Sequence, residues 1–160
     1  MRKEQLAISP FNQDQTRMIS VIIPVYKEEG VIGKTLRHLK SISTHDHVEE
    51  VIVVDGGSSD NSIDEAENEG ALVINGPRKG RAAQMNAGAR VARGTILYFL
   101  HADSLPPASF ASDITKAFNN GFPIGCYRLR FDVDHWFLNA NAWFTRFNVN
   151  AFRYGDQSLF

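Results

Sequence analysis

The chain has 160 residues, 43% of them hydrophobic and 22% charged, which suits one soluble globular domain with a real core. Its formal net charge of −1 and pI near 6.5 argue against a nucleic-acid module, which would carry a basic face. The single cysteine, Cys126, excludes an intramolecular disulfide and a cysteine-built metal knuckle, and it fits a reducing compartment.

Residues 1–17 are mixed polar and lack the apolar run of a signal peptide, so they read as a loose arm before one domain over 18–160. No stretch approaches the roughly 18 apolar residues of a membrane span, and the expectation is a cytoplasmic protein. Met18 to Tyr26 is the first predicted strand, with Pro24 marking its end or a bend because proline lacks a donor. A helix follows from about Gly30 to Ser43, with Ile32, Leu36, Leu39 and Ile42 on one face. Val51 to Val54, four β-branched residues in a row, reads as a strand buried on both faces. Asp55, Gly56-Gly57, two serines and Asp60 come next: a carboxylate at a strand end, a tight turn, then a helix cap.

An acidic helix from about Asp60 to Glu69 is closed by Gly70. Ala71 to Ile74 is a short third strand, and Gly80 opens a helix whose Ala83, Ala87 and Val91 share a face, with Gly94 ending it. Thr95 to Leu100 is a fourth buried strand, terminated by His101-Ala102-Asp103. Pro106-Pro107 then start a helix to about Asn120. Cys126 to Val133 alternates as a half-exposed strand, and Trp136 to Ala151 carries an aromatic helical stripe that includes Trp143, Phe144 and Phe147. Leu159-Phe160 looks like a strand just beginning, which suggests a chain truncated at its C-terminal end. The order predicts an α/β fold, an open, mostly parallel sheet with helices on both faces.

Glu28 and Glu29 follow the first strand, Asp55 and Asp60 the second, and Asp103 the fourth. Ligands of open α/β sheets bind outside the carboxyl ends of the strands. Acids gathered on that rim repel anions unless a cation is present, so a divalent metal bridging to phosphates is the economical reading. A dinucleotide site fails at the first turn, where Lys27 to Gly33 lacks the G-x-G-x-x-G nest. The run Arg78, Lys79 and Arg81 reads either as a solvated loop or as a phosphate contact before a helix.

SVIIPVYKEE, VIVVDGGSSDNS, GRAAQMNAGARVARGTILYFLHAD and the later YGDQ, in this order, resemble family 2 glycosyltransferases of the GT-A fold, with a Rossmann-like nucleotide-binding half. The wording is similar to a short, single-domain bacterial branch, and it runs from about Met18 to Phe160. The resemblance implies a nucleotide-sugar donor, UDP-linked, transfer to an acceptor hydroxyl with inversion, and Mn2+ or Mg2+ as cofactor. It implies that Pro24, Tyr26 and Glu28 hold base and ribose, that Asp55 binds uracil or ribose, and that Arg81 meets base or phosphate. Ala102 falls in the same nucleotide-binding stretch, and Asp103 matches the last acid of the D-x-D metal motif.

His101 stands where that motif has its first acid, and reads either as a ligand that suits manganese or as pocket wall. The family's usual base, in a Glu-Asp pair, has no counterpart after Asp103; Asp156 is the late acid left as a candidate base, or it lines the acceptor side. The Trp136–Phe147 stripe reads as core, or as a patch for a lipid-linked acceptor, a membrane's inner face or a second copy. The alternative to an active transferase is a nucleotide-sugar-binding module without turnover.

Overall fold

The computed structural model describes residues 18–43, 47–77, 80–127 and 159–160. Strands β1 (Ile19–Val25), β2 (Val48–Asp55), β3 (Leu72–Asn75) and β4 (Ile96–Phe99) alternate with helices α1 (Ile32–Ile42), α2 (Ser62–Asn68), α3 (Arg81–Val91) and α4 (Phe110–Asn119). All strand pairings among them are parallel, in the order β3-β2-β1-β4. The chain therefore winds outward through β2 and β3, then returns to lay β4 on the other side of β1. That reversal makes the gap beyond the ends of β1 and β4 the topological switch point, the usual ligand crevice of such sheets.

The alternation along β1 divides the core. Ile19, Val21, Ile23 and Val25 face one side with Leu36 and Leu39 of α1 and Phe110 and Ile114 of α4. Ile22 faces the other, with Ile52, Val54 and the alanines of α3. Helices thus cover both faces, as the βαβ order requires. Tyr98 of β4 stacks on Phe110 with centroids 5.5 Å apart and meets Tyr127 edge-on at 6.0 Å. The Tyr127 hydroxyl donates to the Phe110 carbonyl, and burial holds its pKa far above the ordinary value.

Pro24 stays within β1 rather than ending it. The β1–β4 ladder stops at Ile22 and Phe99, and Pro24 follows on the same edge, where it has no N–H to extend the pairing. Strand β2 begins three residues before Val51, through Val48, Glu49 and Glu50. Charged residues hide a strand start, and these are tolerated because Glu50 is fully engaged. Its carboxylate accepts from Ser20 Oγ at 2.8 Å and the Arg93 backbone N–H at 2.7 Å, and pairs with Arg93 Nε at 3.1 Å. Glu50→Ala strands two donors and should cost about 2 kcal/mol, read as a lower urea midpoint. Ligand affinity at the opposite sheet edge should not move.

Three other boundaries differ. The buried stripe of α3 is Gln84 and Gly88, while Val91 is exposed, because the helix turns its smallest residue to the sheet. Gly94 lies past the helix, packed on Ser20 and Met18. Helix α4 starts at Phe110, after the two prolines; Phe110 N–H donates to the Pro107 carbonyl. Gly70 closes α2 as expected, at φ +80°, with Gly70 and Ala71 N–H groups returning to the Glu67 and Ala66 carbonyls. Leu159 bridges Phe99 and Cys126 in antiparallel fashion, so strand-like pairing does reach the last two residues. The predicted strand beyond Tyr127 and the Trp136–Phe147 stripe lie outside the described residues.

Candidate functional site

A cavity of about 330 Å3 opens at the switch point. Its walls come from the end of β1 (Pro24, Val25, Tyr26, Glu28), the end of β4 (His101, Ala102, Asp103) and the start of α3 (Gly80, Arg81, Gln84), with Gly56 at the end of β2. The structure therefore brings Pro24, Tyr26, Glu28, Arg81, His101, Ala102 and Asp103 to one cavity. Asp55 sits beside it, 4% exposed, with its carboxylate turned into the following loop. Asp55 Oδ2 accepts from Gly57 N–H at 2.8 Å, and Oδ1 from Ser58 N–H at 3.0 Å. Asp156, Arg78 and Lys79 lie outside the described residues.

Each wall is held by polar side chains from a neighbouring element. Four consecutive backbone N–H groups of the β1–α1 loop find acceptors on the segment after β2. Lys27 N–H donates to Ser58 Oγ, Glu28 N–H to Ser62 Oγ, Glu29 N–H to Asp60 Oδ2, and Gly30 N–H to Glu65 Oε1 at 2.8 Å. Lys27, clamped this way, adopts a left-handed φ of +58° and sets its ammonium 5.7 Å above the Tyr26 ring. On the β4 side, Thr35 Oγ1 donates to the Ala102 carbonyl and His38 Nε2–H to the Pro106 carbonyl at 2.7 Å. Helix α1 thereby fixes the loop that carries Asp103.

These bonds revise the acidic rim. Asp60, Glu29 and Asp55 are occupied as acceptors: Asp60 by Ser62 and Glu29, Glu29 by Asn61 Nδ2, Asp55 by the Gly57–Ser58 turn. The Ser62 hydroxyl, with backbone N–H groups adding to it, holds Asp60 below the usual carboxylate range. Glu28 and Asp103 are the acids that line the cavity. Burial, then the negative charges of Asp103 and Asp60, push the Glu28 carboxyl up, and the Arg81 guanidinium pulls it partly back.

Two carboxylates that repel across one cavity are a donor set suited to a hard divalent cation. Among the described residues no three His, Cys, Asp or Glu side chains stand together to hold an ion. Glu28 and Asp103 are the carboxylates on the cavity wall that such a cation would use, and His101, expected with Asp103 as a ligand, lines the same cavity.

Sequence reasoning missed Gln84. It is 4% exposed, and Nε2 donates to the carbonyls of Val25 and Val54, both at 2.8 Å. A Cβ at Gly56 would lie 3.0 Å from its Nε2, and one at Gly76 would meet the Asp55 carbonyl oxygen at 2.8 Å and Gln84 Cγ at 3.1 Å. The available signal was the i, i+4 pairing of Gln84 with Gly88 on an otherwise alanine-rich helix.

The family model for glycosyl transferase family 2 matches residues 20–159. An undecaprenyl-phosphate 4-deoxy-4-formamido-L-arabinose transferase of Proteus mirabilis is 31% identical over 132 residues, covering 78% of this chain and 40% of that protein. Glycosyltransferase AglE of Haloferax volcanii is 35% identical over 94 residues, covering 55% of this chain and 31% of its own. The fold is similar to glucosyl-3-phosphoglycerate synthase of Mycobacterium tuberculosis in complex with UDP, with a TM-score of 0.60, 26% identity, and 71% of this chain and 46% of that one covered. The same enzyme with Mn2+, UDP and glucosyl-3-phosphoglycerate gives a TM-score of 0.57 at 25% identity, with 64% and 39% covered. The chain thus spans about 40% of the length of the Proteus mirabilis relative, and a similar share of these structures. With its parallel sheet, its crevice at the switch point and a match over nearly its whole length, the chain belongs to glycosyl transferase family 2.

Proposed function

We propose that this chain forms the donor-binding part of a transferase that moves a sugar from a nucleoside-diphosphate sugar, UDP-linked, to an acceptor hydroxyl with inversion. The observation that carries the reading is the placement of Glu28, Asp103 and Arg81 on one cavity at the switch point. The relative crystallised with UDP and Mn2+ supports the donor and cation. A divalent cation bound there would neutralise the diphosphate and help it leave.

The chain's own residues would do the rest. Tyr26, 42% exposed and backed by the Lys27 ammonium, offers a ring face on which a base can stack. Arg81, at the first position of α3, can donate to a phosphate, and the helix N-terminus favours the same negative charge. Asp55 keeps unused lone pairs for a base or ribose donor. The acceptor proton needs a base within reach of the attacking oxygen, and Asp156 is proposed for that place. The names of the undecaprenyl-phosphate transferases support a lipid-linked acceptor and a position at the inner face of a membrane. Among the described residues no helix is long and apolar enough to cross a membrane. Self-association through Trp136–Phe147 belongs to the same proposal.

Calorimetric titration of UDP with and without Mn2+ tests the donor half. Binding that needs the cation is expected. A folded chain that binds no nucleotide with any divalent cation rules the reading out.

A further inference from the structure

We infer that Gln84 is a specificity-determining residue of the cavity, presenting a fixed hydrogen-bond acceptor to a donor N–H or O–H on the nucleoside. The inference rests on the donor reading above and adds a residue and a selection rule to it. Gln84 Nε2 lies 2.8 Å from each of two carbonyl oxygens, Val25 O and Val54 O. A carbonyl can only accept, so the amide cannot be turned over: its nitrogen must face the strands. Both N–H groups are then consumed, and Oε1 is the one polar atom of the side chain left to meet a ligand.

The surroundings make that orientation stiff. The side chain is 4% exposed, yet it contributes to the cavity wall. Gly56 and Gly76 lie on two sides of it, where an added Cβ would come within 3.0 Å of Nε2 and 3.1 Å of Cγ. The same two bonds tie the first turn of α3, which carries Arg81, to the strand ends that lead into Tyr26 and Asp55. A ligand held between these groups meets an acceptor that cannot reorganise. It gains a hydrogen bond if it carries a donor there and meets a lone-pair clash if it does not.

Of the nucleoside's three donors, the acceptor is inferred to meet either the imide N3–H of uracil, which cytosine lacks, or the ribose 2′-hydroxyl, which a 2′-deoxyribonucleotide lacks, rather than the 3′-hydroxyl. The test is calorimetric titration of UDP, CDP and 2′-deoxy-UDP, with Mn2+, into the wild-type chain and Gln84→Met. Circular dichroism and Tm are recorded for both proteins. The wild type should prefer UDP to one of the two analogues by about tenfold, the discrimination expected for one hydrogen bond in a rigid site. Gln84→Met should lose that preference, binding UDP about tenfold more weakly and the disfavoured analogue as before.

Loss of discrimination against CDP assigns the contact to the base. Loss against 2′-deoxy-UDP assigns it to the sugar. Equal weakening toward all three ligands would mean that Gln84 only holds the strand ends, and would overturn the inference. A wild type that binds UDP, CDP and 2′-deoxy-UDP alike overturns it as well, with the donor reading intact. A folded wild type that binds none of them removes both. Where Gln84→Met does not fold, the Gln84 side-chain carboxamide signal in the wild-type NMR spectrum decides. It should shift with UDP and not with the disfavoured analogue, and a signal unmoved by UDP overturns the assignment.

Discussion

Gly88→Val should lower Tm by about 10 °C and weaken nucleotide binding with it. A Cβ at position 88 would lie 2.5 Å from Ile22 Cγ2 and 3.1 Å from Val54 Cγ2, and both side chains are fully buried in the sheet. Neither neighbour can swing away, since interiors are close-packed and these side chains are stiff at χ1. The helix must lift instead. Overpacking of this kind costs 1–3 kcal/mol for added methylenes and more when the backbone has to move, so about 3 kcal/mol is expected for valine.

The site feels the same displacement, because α3 carries Arg81 and Gln84 into the cavity from its first turn. Gly121→Ala is the contrasting variant. There φ is +84° at a helix end and nothing lies within 4 Å of the added Cβ, so only backbone strain of about 1 kcal/mol applies. Equal destabilisation by the two variants would show that α3 tolerates separation from the sheet.

The difference between these glycines also marks how much of the fold was legible. The β-branched runs Ile19–Val25 and Val51–Val54 and the Ile32–Leu36–Leu39 spacing are written in local periodicity, so strands, helices and their order could be read directly. The family motifs likewise pointed to the strand ends that now meet at one cavity. What stayed hidden depends on contacts between residues about thirty positions apart. Asp60, Ser62 and Glu65 look like ordinary helix-start residues, and only the parallel β1–β2 pairing shows that they hold the neighbouring loop by its backbone. Glu50 masked the start of β2 for the same reason, since its partners Ser20 and Arg93 come from two other elements. The i, i+4 spacing of Gln84 and Gly88 marks a buried helix face but not what the amide bonds to. Its role follows from two carbonyls that come side by side only once β1 and β2 pair.

Asp103→Asn should abolish cation-dependent UDP binding, lowering affinity by 100-fold or more, while raising the Tm of the ligand-free chain at neutral pH. The two effects have one cause. Burial, together with the charges of Asp103 and Asp60, raises the Glu28 carboxyl above its ordinary value of 4.5. A carboxyl whose folded pKa is raised binds its proton more tightly folded than unfolded. Stability therefore falls as pH rises from 4.5 through the raised folded value, and above that window the ionised Glu28 is a constant cost. Removing the Asp103 charge relieves part of it, and Glu28→Gln removes it outright and should flatten this part of the pH–stability curve.

Both variants also delete a carboxylate that the cation would need. In the wild type, ligand at a hundred times Kd should stabilise by about 2.7 kcal/mol, and in Asp103→Asn that gain should vanish. Thermal melts of the three proteins from pH 4 to 8, with and without UDP and Mn2+, separate the outcomes. A ligand-free Asp103→Asn chain that melts below the wild type would mean that Asp103 is committed to holding the β4–α4 loop. A variant that is more stable alone and indifferent to cation and nucleotide would show that the repulsion between Glu28 and Asp103 is kept for binding, at the expense of the empty fold.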